Sequence, residues 1–73
     1  MKKISNSRRA AYAERAIVAH VATSGNSGND KEESLTDLMS DLLHLARKWK
    51  VSVSKLLKRA QMHFEAEEAG TEI

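Results

Sequence analysis

Residues 35–49 carry a stripe that few structures other than an amphipathic helix can satisfy. Leu35, Leu38, Leu42, Leu45 and Trp49 recur in steps of three, four, three and four, the period that lines one face of an α-helix. Met39, Leu43 and Ala46 widen the stripe, while Asp37, Asp41, His44 and Lys48 fall on the other side. Ser34 or Asp30 can cap the start of this helix. Glu32, Glu33 and Asp37 suit the positive end of its dipole, and Arg47, Lys48 and Lys50 the negative end. A seam this apolar has to be sealed by the rest of the chain or by another molecule.

The rest of the chain offers two further helices. Ala10, Ala13, Ile17 and Val21 form an alanine-rich row in the first, with Arg8 and Arg15 opposite. Val53, Leu57, Ala60 and Phe64 form a row in the third, with Leu56 and His63 beside it. The sequence has no proline, and the strongest break is "TSGNSGND", residues 23–30. The expected fold is all-α. Helices near 34–49 and 53–69 make an antiparallel hairpin, and a first helix near 7–22 packs on it. The loop at 23–31 is read as flexible, and the arm at 1–5 and the tail at 70–73 as loose. Seventy-three residues make one domain with a thin margin of stability.

Charge is distributed in blocks of alternating sign. Residues 1–23 sum to +4, 24–46 to −4, 47–63 to +6 and 64–73 to −4. Such blocks can steer partners or hold segments of one chain together. There is no cysteine, hence no disulfide framework and no thiolate metal site, which fits a reducing compartment. No apolar run approaches the roughly 20 residues that span a bilayer. The basic start "MKKISNSRRA" has no apolar stretch behind it and does not read as a secretory signal. A cytoplasmic protein is expected.

The stretch "LARKWKVSVSKLLKRA", residues 45–60, resembles the helix-turn-helix family of DNA-binding regulators. Ala46 stands where that pattern has a small residue, Leu45, Trp49, Val51 and Leu56 stand at its apolar positions, and Ser52 and Ser54 open its second helix. The resemblance implies that Ser54, Lys55, Lys58 and Arg59 face the DNA groove or its phosphates, with Arg47, Lys48 and Lys50 on the backbone. The position usually taken by glycine is Lys50, where a left-handed backbone costs a residue with a side chain about 1 kcal/mol. The last apolar position is Arg59, which the pattern would turn inward. A second resemblance spans about half the chain. "LTDLMSDLLHLA", residues 35–46, and "RAQMHFEAE", residues 59–67, are similar to a family of small helical proteins found in bacterial genomes, phages and plasmids. It implies an accessory protein of the mobile genome and no reaction.

Signals for chemistry are sparse. His20, His44 and His63 are the only imidazoles. In a hairpin bending near residue 51, His44 and His63 are offset by about one helical turn, roughly 5 Å. His44 is read as pointing outward and His63 inward, so no metal site is expected. Asp37 and Asp41 share a face with His44, an arrangement that serves acid–base work and equally an ordinary polar helix face. With no phosphate-cradling loop and no nucleophile constellation, the chain is read as a non-enzyme without cofactor or small-molecule substrate. Trp49 is assigned to the core. The favoured function is protein–protein interaction, with a homodimer as one form of it, through Leu35, Leu38, Met39, Leu42 and Leu43, joined by Tyr12 and Met62. The alternative is a DNA-binding regulator using the basic segment 47–59.

Overall fold

The structure is a computed structural model that describes residues 4–25 and 30–70. Among these residues there are three helices and no strand: α1 (Asn6–Ser24), α2 (Lys31–Lys48) and α3 (Val53–Glu68). The fold is all-α, with α1 packed on α2 and α2 on α3. Each helix extends or trims its expected span by one to three residues, and the reason is local capping. Ser5, expected in a loose arm, is the N-cap of α1, where its hydroxyl accepts from the Arg8 amide at 3.1 Å. Asp30, not Ser34, caps α2. Its carboxylate accepts from the Glu32 and Glu33 amides at 3.0 and 3.2 Å, so α2 begins at Lys31, inside the stretch expected as a flexible loop. Ser52 caps α3 through the Lys55 amide at 3.4 Å. The flexibility expected at 26–29 and the looseness expected at 1–3 and 71–73 lie outside the described residues.

α2 and α3 are joined by the four residues Trp49–Ser52, and the bend is built by a six-residue hydrogen-bonded motif. The Val51 amide donates to the Ala46 carbonyl at 2.8 Å and the Lys50 amide to the Arg47 carbonyl at 3.1 Å. This is the Schellman closure of a helix C-terminus, which requires a left-handed residue just past the cap. That residue is Lys50, with φ 60°, the single left-handed non-glycine among the described residues.

α1 connects the free end of α3 to the middle of α2. At one end the Asn6 side-chain amide donates to the Glu67 carbonyl at 2.9 Å. That carbonyl also accepts from the Gly70 amide at 3.1 Å, so Asn6 adds a second donor at the C-terminal end of α3. Arg9 Nε lies 3.4 Å from the Glu67 carboxylate. The last turn of α3 has acids and no base to offset its dipole, and the basic first block of the chain supplies that charge. At the other end, His20 Nε2 and Asp41 Oδ2 are 2.6 Å apart.

The core is small. Only Ser34, 3% exposed, and Ala46, 5% exposed, are buried among the described residues. Ile17, His20 and Val21 on α1 are half-buried, as are Asp37 and Leu38 beside the buried Ser34 on α2. The leucine stripe, expected to be sealed by the rest of the chain or by another molecule, is only partly covered. The docked face is rotated by about one residue, onto the side bearing Ser34, Asp37 and Asp41. The physical reason is size and polarity. α1 offers His20, which takes a carboxylate partner, and Ser34 is small enough to let a neighbouring backbone approach. A row of leucines would hold it off.

Candidate functional site

The rotation of α2 leaves its leucine side outside. Leu35, Met39, Leu42, Trp49, Val51, Leu56 and Leu57 are all exposed large apolar residues. They continue into an open groove of about 440 Å³ between α2 and α3. Its walls are formed by Met39, Leu42, Leu43 and Trp49 on one side and Leu56, Leu57 and Ala60 on the other, with Ala46 at the base of the bend. The elements that place these side chains are the cap at Asp30, which sets the phase of α2, and the left-handed turn at Lys50, which sets the direction of α3.

Of the seven residues expected at a protein interface, Leu35, Met39 and Leu42 are exposed and adjacent along the seam, while Leu38 and Leu43 are half-buried beside it. Tyr12 and Met62 are exposed too, but Tyr12 stands elsewhere. It shares a shallow depression with Ser5, Ser7, Arg8, Ala11 and Arg15. The structure therefore does not bring Tyr12 to the groove. Two assignments are corrected. Trp49 is 67% exposed and is no part of the core, because the helix ends there and the Schellman turn carries the chain away from its ring. His63 is exposed and does not point inward, because α1 reaches α3 only near its C-terminal end, where Phe64 lines a depression with Asn6, Arg9 and Ala10.

The residues named for nucleic-acid contact, Arg47, Lys48, Lys50, Ser54, Lys55, Lys58 and Arg59, are all exposed. Arg59 is not directed inward, in contrast to the helix-turn-helix expectation. Of the pattern's other local features, Ala46 is buried and Lys50 is left-handed, whereas Trp49, Val51 and Leu56 at its apolar positions are exposed and Leu45 is half-buried. The Ser54 hydroxyl lies 3.3 Å from that of Ser52.

One constellation escaped the sequence reading. His20 and Asp41 pair between α1 and α2, and with Ser34 on α2 they supply the residue types of a nucleophile triad. The geometry does not make one. Asp41 holds His20 through Nε2, and neither His20 Nδ1 nor the Ser34 hydroxyl has a hydrogen-bond partner, so the two atoms are not bonded to each other. Both are closed to solvent, so the serine is presented to no substrate. The signal that could have found the His20–Asp41 pair was the lone histidine near the end of α1, which an antiparallel α2 had to meet with an acid. Among the described residues no group of three or more histidine, cysteine or acidic side chains is placed to hold a metal ion. No described helix is long and apolar enough to cross a membrane.

No family model matches the chain, and no curated protein or solved structure is similar to it.

Proposed function

We propose that this is a non-catalytic helical accessory protein that acts through protein–protein contact, with the exposed α2–α3 seam as its working surface. The observation that supports this reading is the continuous apolar row Leu35, Met39 and Leu42 running into a groove rimmed by Trp49, Leu56 and Leu57. Exposed apolar surface of this continuity is costly in water and characteristic of a protein contact site. The shared pattern with small helical proteins of phages and plasmids fits such a role. The lack of cysteine fits a reducing, cytoplasmic setting.

The test is affinity capture with the tagged chain, compared with its Met39→Glu variant. Met39 is 54% exposed, so the variant keeps its helical circular dichroism. The expected result is a protein, its own copy included, held by the wild type and lost by the variant. Equal capture by both places the working surface elsewhere.

A second reading has its own support. The bend from Ala46 to Ser52 has two local features of a helix-turn-helix, a buried alanine and a left-handed turn residue, with three cations within it and three more on the α3 turns that follow. If the basic segment binds DNA, log K falls with log salt by about 0.9 for each phosphate neutralised. Lys55→Glu with Arg59→Glu then abolishes binding. A flat salt dependence removes this reading.

A further inference from the structure

Leu35, Met39, Leu42, Ala46 and Trp49 advance along α2 in steps of four, three, four and three, the seam of a helix that packs lengthwise on another helix. Ala46 is buried at the bend with α3, and the other four stay exposed over about half or more of their surface. Leu35, Met39, Leu42 and Trp49 are 51%, 54%, 48% and 67% exposed, a lengthwise apolar row that a second helix would cover.

Charge selects the partner. α2 is acidic at its start, with Asp30, Glu32, Glu33 and Asp37, and basic at its end, with Arg47, Lys48 and Lys50. A second α2 laid antiparallel brings each acidic start to a basic end and opposes the two helix dipoles. A parallel one sets like charge on like. Leu42 lies seven residues from both Leu35 and Trp49, so a two-fold axis at Leu42 puts each of these on the other. We propose that the seam is occupied by a second copy of this chain, packed as an antiparallel two-fold dimer with Leu42 on Leu42 and Leu35 on Trp49. This rests on the reading of the seam as the working surface and names its partner.

The chain has no cysteine and one tryptophan, so introduced thiols and the native indole report cleanly. Sedimentation velocity over a hundredfold range of concentration is expected to reach a dimer, with Trp49 emission shifting to the blue as it forms. Under mild oxidation Leu42→Cys cross-links to itself. Leu35→Cys does not, but forms a mixed disulfide with Trp49→Cys. Leu42→Glu, at the two-fold axis, sets two carboxylates against each other and weakens the dimer about tenfold or more. A monomer at every concentration, or Leu35→Cys linking to itself as readily as Leu42→Cys, overturns the proposal. A monomer that still holds a different protein through Met39 overturns the second-copy assignment alone and leaves the proposed function standing.

Discussion

Ala46→Leu is expected to lower the stability of the protein by about 1–3 kcal/mol, the range for forcing extra methylenes into a packed site. Ala46 is one of two buried residues among those described and lies at the base of the bend, walled by α2 and α3. It also supplies the carbonyl that takes the Val51 amide at 2.8 Å. Three added carbons either push α3 away or lengthen that bond. In a domain of this size each kcal/mol moves the thermal midpoint by roughly 4–8 °C, so the variant melts well below the wild type. Urea unfolding followed by circular dichroism measures the loss. Lys48→Leu, at an exposed position two residues on and on the opposite side of α2, serves as the control and leaves the stability within about 0.5 kcal/mol. An Ala46→Leu midpoint equal to that control contradicts the packing described for the bend.

Lys50→Gly is expected to do the opposite. The left-handed backbone at Lys50, φ 60°, brings a Cβ too close to the following carbonyl, and glycine has no Cβ. The Schellman closure keeps both of its hydrogen bonds in the variant, since they are backbone to backbone. The gain is about 1 kcal/mol, again read as a rise in midpoint. Lys50→Asn, which loses the same charge but tolerates the left-handed region better than most residues, falls between the two. Lys50→Val destabilises, because a branched Cβ is least tolerated there. A loss of stability in Lys50→Gly contradicts a left-handed turn at this position.

These two residues also mark how far the sequence could be read. The helices were legible because their signals are local: apolar steps of three and four, a serine or aspartate before each run, and a glycine near the end of α1 and α3. The left-handed turn was legible at Lys50 only through the helix-turn-helix pattern, which named the position that must bend. Which side of α2 faces α1 was not legible. Periodicity identifies an apolar face but not what covers it. The contact was decided instead by a small residue, Ser34, and a polar pair, His20 with Asp41, whose meeting depends on the path of the chain between α1 and α2. For the same reason Trp49 was misassigned: its apolar character and spacing match the stripe, but the helix terminates under it. The exposure of Leu35, Met39 and Leu42 was nevertheless legible, since excess apolar area can be counted from the sequence alone.

α1 is fastened mainly at its two ends, by Asn6 and Arg9 to Glu67 and by His20 to Asp41, and its alanines at 10, 13 and 16 remain exposed between them. A segment secured by a pair of polar clasps with little apolar burial between them detaches as one cooperative unit, ahead of the hinge it spans. Amide hydrogen exchange is expected to show α1 opening at a free energy below that of the Ala46–Leu57 region, with uniform protection along its middle turns. Equal protection in both regions would mean that the chain opens only as a whole. The protein is then a hinged pair of arms with a detachable brace, and releasing that brace frees the angle between the arms without melting either one.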